Sequence, residues 1–396
     1  MKPVRLLLQL GMVVLVPACS LLKPPPAPPP PPVVVEQPAP PPPPPPPPQY
    51  SAPLATHRFE IDAGDDVVGE LQVTVVGKND TLSDIARRFD IGYQEIVRAN
   101  PGVDPWLPGV GREVVVPTQF VLPLAQRQGI VVNIAAMRVY YFPPAKKGDR
   151  QVVYTYPIGI GKVGWSTPEG KTKVVSKQKD PVWVPPESVR KEHKEERGEI
   201  LPAVVPAGPD NPLGKYKFTL SWPGYLIHGT NKPYGVGLRS SHGCIRLYPE
   251  DVEQLFGMVD KGTPVTVVNQ PFVFGWHQQR LYLQAYDVLE DDKRDWGKSR
   301  PKLLSKTLSQ GIQQRLDARQ QGIDWQRVAQ IARAPLGLVL AVTQATDSEA
   351  AVIAAAPRVE NRVPEGSNWD GADDPALAMQ NDVQEMVGEQ RQAPRS

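Results

Sequence analysis

The stretch from Pro24 to Pro48 limits what this chain of 396 residues can fold into more than any other part of it. It is almost entirely proline, interrupted by the segment VVVEQ at 33–37. Proline has no backbone N–H and favours the extended polyproline helix, so such a run cannot build a hydrophobic core. At ~3.1 Å per residue it spans on the order of 80 Å. We therefore predict a stiff linker over residues 20–50, rather than a ligand for proline-reading domains.

Residues 1–19 are typical of a secretory signal peptide. A positively charged start precedes an apolar run from Leu6 to Val16, which is shorter than the ~20 residues that cross a bilayer. The run ends in PACS at 17–20, which resembles the lipobox of bacterial lipoproteins. That resemblance implies lipidation of Cys19, and Ser20 after it implies the outer membrane of a Gram-negative bacterium. We expect a periplasmic protein held to that membrane; ordinary cleavage without an anchor is the alternative.

The second of the two cysteines, Cys244, lies in a segment that predicts chemistry. The sequence HGT at 228–230 is followed by SHGCIRL at 241–247. A free thiol has a pKa of about 8.5, so a thiolate at neutral pH needs a nearby base, and His228 and His242 are both candidates. Glycines leave backbone N–H groups free to stabilise an oxyanion. The pattern indicates a cysteine acyl-transfer site; a small buried cysteine, or a zinc site with both histidines and the thiol as ligands, are the alternatives.

The two histidines can be compared by their neighbours. In an extended chain His242 and Cys244 would point the same way, so His242 is not excluded as the base. His228 follows the apolar run YLI at 225–227, which indicates the end of a rigid strand where a base is held in one rotamer. We favour His228 as base, with His242 shaping the pocket. Arg246 is a candidate for binding a substrate carboxylate, with a solvated arginine as the alternative.

The ordered pattern HGT…SHGCIRL resembles the signature of the L,D-transpeptidases, whose catalytic domain is of the YkuD type. The likeness extends upstream through TPEG at 167–170 and LPAVVPAGPDNPLG at 201–214, and covers residues 128–269. The resemblance implies that Cys244 is the nucleophile, that His228 donates and accepts the proton, and that the Gly229 carbonyl orients the imidazole. We expect Ser241, His242, Gly243 and Arg246 to contact the substrate.

The same resemblance implies a mainly β catalytic domain, a YkuD-type β-sandwich with short helices. Segments of strand-like composition agree with it, and a helix is expected from Pro249 to Met258, where Glu250 and Asp251 occupy the first turn. The implied reaction is transfer of a peptidoglycan tetrapeptide stem to another stem or to an outer-membrane lipoprotein. A peptidoglycan hydrolase of the same class, and a non-enzymatic wall-binding lipoprotein, remain as alternatives.

Residues 70–118 form a second unit. A strand at 72–76, a helix opened by a capping box from Thr81 to Asp84, a second helix from Tyr93 to Ala99 and a strand at 113–117 give a βααβ order. This order resembles a LysM module, which implies binding to the glycan of peptidoglycan. A structural spacer, or a module that has lost sugar binding, is the alternative.

The remaining segments follow the catalytic domain. Residues 270–298 are expected to form a terminal hairpin that completes the sheet of the catalytic domain, and residues 299–346 a helical extension. Residues 347–396, rich in Ala, Asp, Gln, Glu and Pro, are expected to be disordered.

Charge excludes one class of partner and leaves one segment open. With 44 basic and 42 acidic residues the net charge is only +2, which does not indicate nucleic-acid binding. The alternating run at 190–197 predicts an exposed helix face, or part of a loop over the active site. No motif indicates a cofactor or a resident metal.

Overall fold

A computed structural model describes residues 50–52, 54, 57–146, 148–308, 310–319, 321–343 and 347–362. The predicted signal peptide, the lipidation site Cys19 and nearly all of the proline-rich linker lie outside these residues. Within them, none of the helices has the length and apolar character needed to cross a membrane.

The strands of the chain, numbered in order, are β1 Arg58–Ile61, β2 Val67–Gly69, β3 Gln72–Val75, β4 Glu113–Val116, β5 Gln119–Val121, β6 Gly129–Asn133, β7 Arg138–Phe142, β8 Gln151–Pro157, β9 Ile160–Gly161, β10 Gly170–Lys179, β11 Tyr216–Leu220, β12 Leu226–His228, β13 Arg239–Ser241, β14 Ile245–Arg246, β15 Pro264–Val268, β16 Phe272–His277, β17 Arg280–Ala285 and β18 Val339–Ala341. The helices are α1 Leu82–Arg88, α2 Tyr93–Ala99, α3 Glu187–Arg197, α4 Pro249–Met258, α5 Trp296–Lys306, α6 Gln310–Arg319, α7 Trp325–Arg333 and α8 Glu349–Ala355, with a 3-10 turn at Pro233–Gly235.

The catalytic domain is built on a nine-stranded sheet in the order β1-β8-β7-β6-β15-β10-β11-β12-β14. Alternating apolar residues of these strands, among them Val132, Phe218 and Ile227, enter one buried core. Helix α4 begins at Pro249 as predicted, and its Val252 and Leu255 are fully buried in that core. The domain is therefore mainly β, which confirms the predicted fold class.

The βααβ unit also has the predicted element order. Strands β3 and β4 pair antiparallel, with Gln72 opposite Val116, and α1 and α2 lie between them in sequence. Both hydrogen bonds of the predicted capping box are present between Thr81 and Asp84. Ile85 and Ile96, from the two helices, are fully buried in the core of this unit.

The N-terminus of helix α2 is hydrogen-bonded directly to the catalytic domain. The N–H of Tyr93 donates to the carbonyl of Val236 at 3.2 Å, and that of Gln94 to the carbonyl of Gly237 at 3.3 Å. Gly237 has φ +84°, and a Cβ there would lie 2.2 Å from the Tyr93 nitrogen. Only glycine permits this close approach.

A buried ion pair also joins the βααβ unit to the catalytic domain. Arg138 of β7 donates to Glu95 of α2 through Nε at 2.9 Å and Nη2 at 3.0 Å, and both side chains are almost fully buried. The βααβ unit and the catalytic sheet are therefore packed against each other through this buried ion pair and through the apolar core that also holds Val131 and Tyr140 of the catalytic sheet.

The segment predicted as a terminal hairpin contains β16 and β17, which pair antiparallel, and β18 adds a third strand to them. The prediction that the hairpin completes the catalytic sheet is wrong, because these three strands form a separate sheet. Residues of α5, α6 and α7, such as Leu304, Leu316 and Val328, are buried against this small sheet. Val73 and Val115 of the βααβ unit belong to the same core.

The prediction of disorder is wrong for residues 347–362. Helix α8 begins at the cap Ser348, whose hydroxyl accepts a hydrogen bond from the N–H of Ala351. Beyond the helix, the Val73 N–H donates to the Pro357 carbonyl at 2.9 Å and the Val359 N–H to the Val73 carbonyl at 2.8 Å. The amino-acid composition of this segment did not predict its order, because a few apolar side chains and pairing with one open strand edge are enough to order a short segment. Residues 363–396 lie outside the described residues.

Candidate active site

Two short parallel strands carry the predicted catalytic residues. In the register of β12 and β14, Ile227 lies opposite Ile245 and His228 opposite Arg246. Both isoleucines are buried in the catalytic core. Because side chains alternate along a strand, His228 and Arg246 belong to the opposite face, and Cys244, two residues before Arg246, belongs there too.

The imidazole of His228 is buried and held in one tautomer. Its Nδ1 lies 2.6 Å from the Gly229 carbonyl oxygen. A carbonyl can only accept, so Nδ1 carries the proton and Nε2 is left with a lone pair. Burial and then the Arg246 charge lower the pKa of His228 to about 3, although the hydrogen bond to Gly229 acts the other way. The ring is therefore neutral at neutral pH and ready to accept a proton.

The Cys244 thiol is partly exposed, and its Sγ lies 3.8 Å from the Gly224 carbonyl. Burial raises the pKa of this thiol, opposed in part by the N–H of Leu226 and by Arg246. In the described part of the chain no hydrogen bond joins the thiol to His228. Both shifts favour the neutral thiol and the neutral imidazole.

The turn that presents Cys244 is fixed from two sides. The Ser241 hydroxyl donates to the Cys244 carbonyl at 2.6 Å, and the Thr167 hydroxyl donates to the Gly243 carbonyl at 3.0 Å. Thr167 also accepts from the Gly161 N–H at 3.2 Å. Gly243 has φ +95°, a conformation that favours glycine.

The backbone N–H groups of this turn are available to a ligand. Within the described residues, the amides of Gly243 and Cys244 donate to no protein acceptor. Two such N–H groups beside a nucleophile are the usual composition of an oxyanion hole. Arg246 adds spare donors on the same face: Nη1 donates to the Ser240 hydroxyl at 3.2 Å, whereas Nε has no acceptor among the described residues.

His242 has a different environment from the one expected for an extended chain. The positive φ of Gly243 interrupts the alternation between His242 and Cys244. The His242 ring pairs through Nε2 with Glu192 of α3 and packs edge-on against Trp165, 4.9 Å between centroids. Burial lowers the pKa of His242, while the hydrogen bond and charge of Glu192 act in the opposite direction.

Glu192 was not singled out from the sequence, yet it holds α3 beside the catalytic turn. Besides His242, its carboxylate accepts from Trp165 Nε1 at 3.1 Å and lies 3.1 Å from Lys162 Nζ. The only sequence signal was the charged run at 190–197, for which a position over the active site was one of two interpretations. The segment is a helix and not a loop, so the first interpretation is correct about its structure; it nevertheless lies beside the catalytic turn, with Glu192 bonded to His242.

The three side chains of the alternative zinc site are not brought together. Within the part of the chain that the structure describes, no group of three His, Cys, Asp or Glu residues could hold a metal ion. The structure brings His228, Cys244 and Arg246 to one face, but it places His242 with Glu192.

Comparisons with known proteins identify the family of the chain. The model of the L,D-transpeptidase catalytic domain, YkuD, matches residues 127–267, and that of the LysM domain matches residues 74–117. The protein named "Probable L,D-transpeptidase YcfS" from Escherichia coli K12 is 40% identical over 269 residues, which cover 65% of this chain and 80% of the relative. "Probable L,D-transpeptidase ErfK/SrfK" from Salmonella typhimurium LT2 is 45% identical over 237 residues, covering 59% of this chain and 75% of the relative. With this extent of likeness, and with the cysteine, histidine and glycine of the motif in place, the chain belongs to the L,D-transpeptidase family and is an enzyme that carries a LysM domain ahead of its catalytic domain.

Proposed function

We propose that the chain transfers peptidoglycan stem peptides through a thioester on Cys244. The observation that carries the proposal is the β12–β14 pair, which sets the neutral imidazole of His228 on the same face as the thiol. The hydrogen bond to Gly229 leaves Nε2 as the proton acceptor. Because the His228 imidazole is a weak base and the Cys244 thiol is protonated, we expect the proton to move from sulfur to nitrogen only when a bound substrate is attacked.

In the first half-reaction the Cys244 proton moves to His228 Nε2 while Sγ attacks the carbonyl carbon of the diaminopimelate residue in a tetrapeptide stem. The negative oxygen is bound by the amides of Gly243 and Cys244. The tetrahedral intermediate then collapses, the C–N bond breaks, and His228 returns the proton to the departing D-alanine amine. A thioester on Cys244 remains.

In the second half-reaction an amine attacks the thioester carbonyl, His228 accepts the amine proton, and the C–S bond breaks with the proton returned to sulfur. The acceptor is the diaminopimelate amine of another stem, or a lysine of an outer-membrane lipoprotein. Water as acceptor would make the enzyme a hydrolase. The Nε of Arg246, which is buried without an acceptor among the described residues, suits a carboxylate oxygen of the stem.

The proposed substrate fits the rest of the chain. The LysM domain is expected to bind the glycan to which the stems are attached. The signal-like segment with Cys19 would place the enzyme in the periplasm, anchored at the outer membrane, where a long proline-rich linker could carry the catalytic domain to the wall.

The test uses purified muropeptides with and without an amine acceptor, analysed by mass spectrometry. Cys244→Ala should abolish product formation while the unfolding temperature stays unchanged. A carbapenem should add its mass to the wild type and to Cys19→Ser, the matched control, but not to Cys244→Ala. Transfer by Cys244→Ala would refute the assignment of the nucleophile, and water addition in the presence of amine would identify a hydrolase.

A further inference from the structure

A row of polar side chains crosses the catalytic sheet on the face opposite its core. Gln178 of β10 lies opposite Lys217 of β11, Lys217 opposite His228 of β12, and His228 opposite Arg246 of β14. Phe218, the next residue after Lys217, is fully buried in the core, so the Lys217 side chain leaves the sheet on the other face, as His228 does. Directly opposite residues of an antiparallel pair have Cβ atoms about 4.5–5.5 Å apart. Lys217 and Arg246 therefore flank the imidazole, one on each neighbouring strand.

The ammonium of Lys217 is close to this imidazole and has no partner. Burial and the Arg246 charge lower the pKa of His228 most, and the Lys217 charge lowers it further, as expected for a cation near the ring. Within the described residues the ammonium forms neither an ion pair nor a hydrogen bond, although the side chain is half-buried. A cation in this position is suited to a charge-assisted contact with an anion of the substrate.

The order of the strands sets where each part of a donor stem lies. Across this face Cys244 directly precedes β14, His228 lies on β12, and Lys217 lies on β11. In the proposed reaction the scissile carbonyl carbon is bonded to the Cys244 sulfur, and His228 Nε2 returns its proton to the departing nitrogen. The acyl part is thus held at β14, and the part that leaves extends past His228 in the direction of β11.

The leaving D-alanine carries a terminal carboxylate two bonds from the departing nitrogen. Neighbouring strands lie about 4.8 Å apart, a distance that the flexible four-carbon stem of a lysine covers. Burial decreases in the same direction, from buried His228 through half-buried Lys217 to exposed Gln178. The freed amino acid can therefore leave to solvent on this side of the row.

We propose that Lys217 is a specificity-determining residue that binds the terminal carboxylate of the leaving D-alanine. Arg246, on the other side of the imidazole, is left for a carboxylate of the acyl part. The scissile bond is then held between two cations, with the proton-transferring His228 in the middle. This assignment rests on the proposed function, because the thioester reaction fixes the direction in which the leaving group points.

The test compares a tetrapeptide stem ending in D-alanine with the same peptide ending in D-alanine amide, which lacks only the terminal charge. Titration calorimetry of the full chain carrying Cys244→Ala measures binding without turnover. The acid should bind about ten-fold more tightly than the amide, as expected for one charge-assisted contact. Adding Lys217→Gln should abolish this preference by weakening the acid alone.

Three further variants separate the contact from general effects of charge. Lys217→Arg keeps the cation and should keep most of the preference. Lys179→Gln is the matched control, because Lys179 lies opposite Tyr216 of the core, with its Nζ 6.0 Å from the centre of that ring, and so belongs to the other face of the sheet. It should leave the preference unchanged. Arg246→Gln should weaken both peptides alike.

Turnover by the chain with Cys244 intact gives a second measurement. Lys217→Gln also removes a charge beside His228, and this effect acts on the acid and the amide equally. The ratio of the two kcat/KM values therefore isolates the carboxylate contact. This ratio should be about ten in the wild type and about one in Lys217→Gln.

Three outcomes of the titration would overturn the assignment: no preference for the acid over the amide, a preference that survives Lys217→Gln, or a preference that Arg246→Gln removes instead. Because binding is measured without the nucleophile, failure of the muropeptide assay would refute the proposed function and leave the binding result standing. Normal turnover with no preference for the acid would refute only the role of Lys217.

Discussion

Replacing Arg138 by Met should destabilise the chain strongly, because it strands a buried carboxylate. The Arg138 side chain is 0% exposed and that of Glu95 6%. After the change, Glu95 retains the N–H of Gly92, 2.6 Å from Oε2, but loses both bonds from the guanidinium. Removing one partner of a buried ion pair costs about 3–5 kcal/mol in the free energy of unfolding. Arg138 also lies over the Phe120 ring at 4.1 Å, a contact that Met replaces only in part.

A double-mutant cycle separates the lost attraction from the stranded charge. Combining Arg138→Met with Glu95→Gln removes both charges, so the double variant should lose roughly 1–2 kcal/mol, less than Arg138→Met alone. The assay is urea unfolding of the full chain at pH 7, followed by fluorescence and circular dichroism. Arg87→Met is the matched control, because Arg87 pairs with the half-exposed Glu250 across the same domain contact and should cost about 0.2–1 kcal/mol.

Two outcomes would refute this reasoning. If Arg138→Met lowers the free energy of unfolding by no more than Arg87→Met does, burial does not set the strength of the Arg138–Glu95 contact. If the double variant costs the sum of the single variants, no charge was stranded and the two side chains act independently.

Two further predictions concern the catalytic turn and pH. Thr167→Val should lower kcat by about 10²-fold, because the Gly243 carbonyl loses its hydrogen-bond donor and the amides of the proposed oxyanion hole shift. Turnover of muropeptides measures this effect, with Thr172→Val as the control, and an unchanged kcat would contradict the prediction. Burial raises the pKa of both Asp90 and Asp251, so the folded state favours their protonated forms. The free energy of unfolding therefore falls as the pH rises above the ordinary carboxyl pKa of about 4. Asp251→Asn should flatten this fall, and an unchanged pH profile of stability would contradict the prediction.

Much of the architecture was predictable because its determinants are local. Thr81 and Asp84 stand three residues apart, which is the spacing of a capping box, and both hydrogen bonds form. Pro249 with acidic residues behind it predicted the start of α4. Most strands of the catalytic sheet are encoded by composition and alternation over a few consecutive residues, a scale on which the backbone period decides the structure.

Other features depend on partners far apart in the chain. Glu192 reaches His242 from 50 residues upstream, and Asp291 reaches Arg239 from 52 residues downstream. The order of residues 347–362 depends on the edge of β3, more than 280 residues earlier. No local pattern specifies such pairings, because they are set by which surfaces the folded core leaves open.

The amino-acid sequence by itself determined the residue types of the catalytic motif, the order of the domains and the position of most strands and helices. The tertiary structure decided the burial of the Cys244 thiol and of the His228 imidazole, and the partner of His242. The physical reason is that burial and long-range contacts set the electrostatic environment of a side chain, whereas backbone periodicity and capping act within a few residues.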